Sequence, residues 1–338
     1  MNTLSVKTIF NGLILSLLLT ACGAAKNMQI KVTKPTRIEL PSDVKKIVLV
    51  DKTHGNALAV IEGLLSGSFP GLDRTLSQEC LSGITKPFLE YSSVAITRHT
   101  ESFKSSQGTS RSFGNMMPWD QVDRIANENG AEALLVLEYF NSDFSVRDVS
   151  SPGPNGVIRY QGYINIRAGI RVYLPASRTL FYENGFTYSN PYGETAANKA
   201  QLLGKLAFGS DALKYGSGQL GNRIGRQFVS YQTWEDRQFF KGKSPATKQA
   251  ERLIIANQYS EAISLLEKEY KIESNSKIKA RISHTLGYCY EVNGDLAASK
   301  KWLTESFVAS GNKKTKRYLD IINRRIQETE LLESQQTK

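Results

Sequence analysis

Apolar runs and helical patterns alternate along residues 43–241, and this alternation predicts an α/β domain. Nearly continuous apolar runs are typical of buried strands. Three of them occur, at residues 47–50, 94–97 and 133–140. Apolar residues recur every fourth position over residues 72–89, and a shorter amphipathic helix follows Pro118. The order strand, helix, strand, helix, strand predicts a sheet with helices packed on it.

The pattern changes to a period of two over residues 158–174. Every even position is apolar or small there and most odd positions are polar. This predicts one long strand with one face exposed to solvent. A turn at Pro175-Ala176-Ser177 and a returning strand over residues 179–188 make an antiparallel hairpin. A helical region over residues 195–232 is expected to close the domain.

The polar face of this hairpin carries basic and aromatic side chains. They are Arg159, Arg167, Arg171, Tyr163 and Tyr173. Such a face is suited to an anionic glycan or peptide. A solvated antiparallel face explains the same residues without a ligand.

Residues 244–338 have helical patterns that repeat loosely. Ala262 and Ser299 occupy equivalent places 37 residues apart, near the period of about 34 residues of tetratricopeptide repeats. The pattern resembles two such repeats with a long last helix, although Glu269 stands where the repeat has a small residue. A generic pair of helical hairpins is the alternative. Gly242-Lys243-Ser244-Pro245 marks the predicted joint between the two domains.

One helix of the second repeat carries four residues spaced i, i+3, i+7 and i+10, which share one stripe. They are Arg281, His284, Tyr288 and Glu291. The resemblance implies that this stripe faces a groove, and tyrosine and arginine are common in binding hot spots. We therefore expect the stripe to bind a protein partner, with a merely solvated stripe as the alternative. The basic run at the start of the last helix is either a solvated helix start or a lipid headgroup site; it contains Lys313, Lys314, Lys316 and Arg317.

The first 22 residues have the pattern of a secretory signal. Lys7 supplies a positive charge, and the apolar core over residues 9–19 is too short for a transmembrane helix. The sequence Leu19-Thr20-Ala21-Cys22 resembles a bacterial lipobox. That resemblance implies removal of residues 1–21 and diacylation of Cys22, and two acyl chains anchor a protein stably. An ordinary signal peptide with a chance cysteine is the alternative.

Residues 22–42 are predicted to be an extended tether, because Pro35 and Pro41 disfavour helix.

The formal net charge of +11 is spread over both predicted domains. Nucleic acid is not an expected partner, because the protein is predicted to be exported. Cys80 and Cys289 fall in different predicted domains and are expected to be buried thiols.

Motifs for chemistry are weak. The sequence Gly216-Ser217-Gly218-Gln219-Leu220-Gly221 has the spacing of a dinucleotide-binding loop, but a helical pattern precedes it where a strand is needed. It is better explained as a glycine-rich break between helices, with Gly221 and Gly225 allowing close packing. Asp51 follows the first strand, where α/β folds often place a site, yet no catalytic partner is visible in the sequence. We predict no metal, no cofactor and no small-molecule substrate.

Three segments carry a resemblance to an uncharacterised Bacteroidota-type lipoprotein family with tetratricopeptide-like ends. They are Leu40-Pro41 leading into residues 45–50, Met117-Pro118-Trp119-Asp120 with residues 133–140, and residues 234–240 leading into the helices. More distantly, the α/β part is similar to the small periplasmic domains of curli-channel and TolB-type proteins. The resemblance implies an architecture and a cellular location, and no activity.

These observations predict four segments: a signal peptide at residues 1–21, a tether at 22–42, a mixed α/β domain at 43–241 and a tetratricopeptide-like helical domain at 244–338. The expected function is that of a non-catalytic scaffold or adaptor, anchored through Cys22 in the outer membrane and facing the periplasm. An oligomerising subunit of an envelope secretion or assembly complex is the first alternative. A glycan or cell-wall enzyme is the second.

Overall fold

The computed structural model describes residues 25–53, 72–100, 112–150, 159–198 and 210–336. In chain order the described elements are β1 (Ala25–Lys34), β2 (Lys46–Asp51), α1 (Leu72–Tyr91), β3 (Ala95–Arg98), α2 (Trp119–Asn129), β4 (Ala133–Asp148), β5 (Tyr160–Leu174), β6 (Thr179–Ala196), α3 (Ser210–Gly225), β7 (Tyr231–Phe240), α4 (Pro245–Ile255), α5 (Tyr259–Ile272), α6 (Ser276–Val292), α7 (Leu296–Ser310) and α8 (Lys313–Gln336).

The chain divides into two compact units. The α/β unit comprises Thr36–Tyr231, and the helical unit comprises Gln232–Lys338 together with the amino-terminal segment up to Pro35. Each unit has its own apolar core. The mixed α/β fold followed by helices is confirmed.

Five strands form the sheet of the α/β unit, in the order β3–β2–β4–β5–β6. The first three are parallel, with Ile47 opposite Ile96 on one side and Ala133 on the other. Strands β4, β5 and β6 are antiparallel and run well past the point where β2 ends, opposite Leu137. The period-two pattern predicted the long strand at 158–174, which the structure describes from Tyr160.

The two faces of this sheet are covered differently. Apolar side chains of β5 at even positions pack in one core with residues of α1 and α3: Ile164, Ile166, Ala168, Ile170 and Val172. On the other face α2 covers only the parallel end, where Val122 and Ile125 pack with Val48 and Val136. Farther along, this face is more exposed, as at Arg167.

Glycines bring α3 very close to α1. A Cβ atom on Gly221 would lie 1.9 Å from the Cys80 carbonyl oxygen, and one on Gly225 would lie 2.4 Å from that of Ile84. The helix is continuous over Ser210–Gly225, so the break expected at Gly216–Gly221 does not form. The close packing expected at Gly221 and Gly225 does.

The helical unit combines helices α4–α8 with a two-stranded ribbon of β1 and β7. Ser244 caps α4 with a capping box and Pro245 occupies its first turn, so a helix begins where the Ser-Pro sequence predicted one. Ile30 and Val32 of β1 and Phe239 of β7 are buried in the same core as the helices. The ribbon is therefore part of the helical unit.

Three predicted boundaries need correction. Residues 25–34 form a strand where a tether was expected, because Ile30 and Val32 find an apolar core to enter. The unit boundary lies at Tyr231, since β7 pairs with β1 and packs on the helices. Within residues 195–232, the described helix is limited to α3.

The α1–α3 crossing generates a test with a matched control. Gly221→Ala is expected to lower the free energy of unfolding by about 3 kcal/mol, because its new methyl group overlaps the Cys80 carbonyl. Gly218→Ala in the same helix meets no atom within 4 Å and should be neutral or stabilising by up to about 1 kcal/mol, the helix propensity difference. Urea unfolding followed by circular dichroism measures both, and equal midpoints would contradict the described crossing.

Candidate functional site

The predicted partner-binding stripe on α6 is occupied by the chain itself. Tyr288 is fully buried, and His284 and Glu291 are each 2 % exposed. The Tyr288 ring packs on Phe239 of β7, with ring centroids 5.2 Å apart. The prediction that these residues face a partner groove is wrong, because β7 lies where a partner segment would lie.

His284 joins three elements. Its Nε2 lies 2.9 Å from the Gln238 carbonyl oxygen of β7, and its Nδ1 lies 2.9 Å from Thr315 Oγ1 of α8. Burial disfavours the charged imidazole and lowers the pKa of His284 to about 4. Arg281, the fourth residue of the stripe, stays half-buried: it donates to the Lys241 carbonyl and lies over the Phe240 ring.

Glu291 is the centre of a buried charge network in the helical unit. Arg237 donates to it in a bidentate geometry, with Nε 2.9 Å from Oε2 and Nη2 2.9 Å from Oε1. Tyr318 and Arg325 of α8 also donate to this carboxylate. Burial would lower the pKa of Arg237, but the hydrogen bonds and charge of Glu291 raise it above its ordinary value. The network therefore holds β7 and α8 on α6.

The same network extends to β1 through Lys34. Its ammonium lies 2.6 Å from Glu235 of β7 and 2.9 Å from Glu328 of α8. Glu235 also accepts a hydrogen bond from Arg237. The first strand of the described chain and the last helix are thus joined by charge as well as by apolar packing.

A second polar cluster lies at the carboxyl end of the parallel strands, where Asp51 was singled out. Asp51 accepts hydrogen bonds from the Thr53 backbone at 3.0 Å and from Gln78 of α1 at 2.8 Å. These contacts fix the end of β2 to α1. Asp51 is thus explained by local structure, and we assign it no catalytic role.

Glu138 lies at the centre of the neighbouring part of this cluster and was not predicted as a site residue. It pairs with Lys52 at 2.8 Å and with Arg171 at 3.5 Å, and it accepts from the Tyr173 hydroxyl at 3.1 Å. Burial raises the pKa of Tyr173 to about 12. The signal was present: Glu138 is a lone charge inside the buried run 133–140, and such a charge needs partners.

The basic and aromatic residues predicted to share a sheet face differ in burial. Arg171 and Tyr173 are buried in the Glu138 cluster, whereas Arg159 and Arg167 are exposed. The remaining tyrosine, Tyr163, is half-buried and covered by the Arg147 guanidinium at 4.1 Å. Burial of Arg171 and Tyr173 therefore leaves only part of this face exposed to a ligand.

The two cysteines of the described residues lie in different units. The thiols of Cys80 and Cys289 are free and buried, and burial raises the pKa of both.

Within the described ranges, no cluster of three or more histidine, cysteine or acidic residues could hold a metal, and no helix is long and apolar enough to span a membrane. Residues 1–21 and Cys22 lie outside the described residues. The run from Lys313 begins α8.

A surface cleft lies between α1 and α3. It has a volume of about 490 Å³ and is lined by charges of both signs, among them Glu79, Lys86, Glu90 and Lys214. Ligand pockets are usually closed and mainly apolar, with few polar groups. This open and mixed surface does not match that description.

His284 generates a pH prediction for the helical unit. The folded protein holds this side chain neutral, whereas the unfolded chain protonates it near pH 6.5. Its contribution is complete above pH 6.5 and is lost as the pH falls toward 4, amounting to about 2 kcal/mol between pH 7 and pH 5. Urea unfolding at both pH values should show His284→Gln less sensitive to acid by about that amount. An identical pH dependence of the variant and the native protein would show that His284 is not buried as described.

Comparisons with solved structures give only weak similarity. The PelC dodecamer from Paraburkholderia phytofirmans is 7% identical, covering 60% of this chain and 99% of that one, with a TM-score of 0.26. A putative neuraminyllactose-binding hemagglutinin homolog from Helicobacter pylori is 11% identical, with coverage of 56% and 83% and a TM-score of 0.27. A minor lipoprotein from Acinetobacter baumannii is 8% identical, with coverage of 56% and 98% and a TM-score of 0.24. Similarity at this level supports no conclusion about function.

Two family models match most of the chain. No curated protein matches the chain. The family described as domain of unknown function DUF8603 matches residues 44–240, which is more than half of the chain, and domain of unknown function DUF6340 matches residues 248–324. Residues 241–247, which follow β7 in the chain, separate the two matched segments. The chain therefore belongs to the DUF8603 family, with a DUF6340 segment after it.

Proposed function

We propose that this protein is a lipid-anchored component of the bacterial cell envelope and acts as a non-catalytic adaptor. The observation that supports the proposal best is the position of β1. This strand begins at Ala25, three residues after the predicted acylation site at Cys22, and its residues Ile30 and Val32 are buried in the helical unit. An anchor at Cys22 would thus act directly on a folded unit.

The membrane is proposed to be the outer membrane, with the protein facing the periplasm. Gly23 and Ala24 follow Cys22, and no aspartate is present there to resemble an inner-membrane retention signal. The resemblance to a Bacteroidota-type lipoprotein family fits the same location. An acylated amino terminus also needs no membrane-spanning helix.

The partner surface in this proposal lies on the α/β unit, because β7 already covers the stripe on α6. Strand β6 is the outermost strand of its sheet over Thr179–Ala196. No described strand pairs with its outer edge. An edge that no described strand covers offers backbone donors and acceptors to an added strand.

The same edge supports the alternative of an oligomerising subunit, in which the added strand comes from a second copy. Light scattering of the unacylated chain distinguishes the two proposals. The mass of one chain favours an adaptor for another protein, and a multiple of that mass favours the oligomer.

Lipidation of Cys22 is the first test. Cys22→Ser should abolish palmitate labelling and move the protein from the membrane to the soluble fraction, because the thiol that carries the acyl chains is lost. Cys80→Ala is the matched control and should keep the label, since Cys80 is buried in the α/β core. Normal labelling of Cys22→Ser would refute the anchor.

A further inference from the structure

The start of β1 lies beside the turn that leads from β7 into α4. Glu251 of α4 joins them: one carboxylate oxygen lies 3.0 Å from the Lys26 ammonium, and the other accepts from the Gly242 backbone N–H at 2.9 Å. Asn27 also accepts a hydrogen bond from Gln238 at 2.8 Å. Residues 240–243 are therefore fixed next to the first residues of the described chain.

Two lysines in this turn, Lys241 and Lys243, are exposed. We call them the turn lysines. Neither makes a direct ion pair with a carboxylate among the residues that the structure describes. The Lys241 carbonyl accepts a hydrogen bond from Arg281, and the Lys243 backbone N–H donates to Thr247 at 2.8 Å. The backbone of the turn is therefore held while both ammonium groups stay at the surface.

The nearby carboxylates are engaged within the protein. Burial would raise the pKa of Glu251, but the Gly242 N–H, the Lys26 ammonium and the charge of Lys241 lower it. This carboxylate is therefore ionised; it pairs directly with Lys26 and attracts Lys241 from farther away. Glu269 accepts from the Ser244 hydroxyl at 2.6 Å. With Arg281 added to the turn lysines, the surface around the start of β1 has an excess of positive charge.

The cavity beneath this turn is too small for an organic ligand. It holds about 20 Å³ between Phe240, Thr247 and Ile282, which is the space of roughly one water molecule. A ligand of the turn lysines must therefore bind on the outside.

Chain length places this surface close to any membrane that holds Cys22. Residues 22–24 can span at most about 11 Å before β1 begins. Charges act over about 8 Å at physiological ionic strength. A fold anchored so near to a bilayer cannot keep the start of β1 far from its headgroups.

We propose that Lys241 and Lys243 bind anionic phospholipid headgroups of the membrane that carries the Cys22 anchor. This inference rests on the proposed anchor and adds an orientation: the turn between β7 and α4 faces the bilayer. Each basic residue near an anionic surface contributes about 1 kcal/mol, which corresponds to about a fivefold change in partitioning.

The test uses the chain from residue 22 to residue 338 carrying Cys22→Ser, so that no acyl chain contributes. Binding is measured by co-sedimentation with vesicles of phosphatidylcholine alone and with vesicles of phosphatidylcholine mixed with phosphatidylglycerol. The native turn should bind the mixed vesicles more strongly, and binding should weaken with salt. Lys241→Gln/Lys243→Gln should lower partitioning onto the mixed vesicles by about 25-fold, fivefold for each lysine.

Lys300→Gln/Lys301→Gln is the matched control. It removes the same charge from exposed positions on α7, which no described contact joins to the turn. This variant should stay within about twofold of the native chain, because charges beyond the screening length contribute little. Equal losses in both variants, or no loss in either, would overturn the proposal. Palmitate labelling of Cys22 is measured separately, so failure of the anchor and failure of the headgroup contact give different results.

Discussion

The buried carboxylate of Glu291 constrains the whole helical unit. Glu291 is only 2 % exposed. Burying a carboxylate costs several kcal/mol unless it is paired. Arg237 supplies that pairing from β7, and Tyr318 and Arg325 supply it from α8. Helix α6 can therefore be buried on this side only when the strand and the last helix are both in place.

The position of β7 has two further consequences. It fills the face of α6 that a tetratricopeptide-like repeat would offer to a partner, and it provides the strand on which β1 pairs. Lys34, bound to Glu235 and Glu328, then closes the connection between the beginning and the end of the described chain. The DUF8603 match ends at residue 240, so β7 belongs to that segment by sequence and to the helical unit by packing. The helices of the DUF6340 segment therefore pack on a strand that the DUF8603 match includes.

Much of the fold could be predicted because its signals are local. The apolar residues that recur every second position in β5 and every fourth position in α1 predict which side of each element is buried. The structure buries those sides. The ribbon could not be predicted in this way, since its strands are about 200 residues apart in the chain and their outer positions are polar.

The prediction of an exposed binding stripe was wrong for a related reason. Polar residues such as His284 and Glu291 are usually exposed, but both are buried here. Their burial depends on partners in β7 and α8 that spacing within one helix does not reveal. Glu138 carried a better signal, a single charge in a buried apolar run, and its partners Lys52 and Arg171 come from two other places in the sequence.

Strand β1 is a structural part of the helical unit and not a tether. Native-state hydrogen exchange of the full chain tests this, because amides that are hydrogen-bonded within a folded ribbon exchange only when the unit opens. We expect the alternate amides of β1 that bond to β7 to be protected to the same free energy as the amides of α6. Exchange of every amide of β1 at the rate of an unstructured peptide would contradict this assignment.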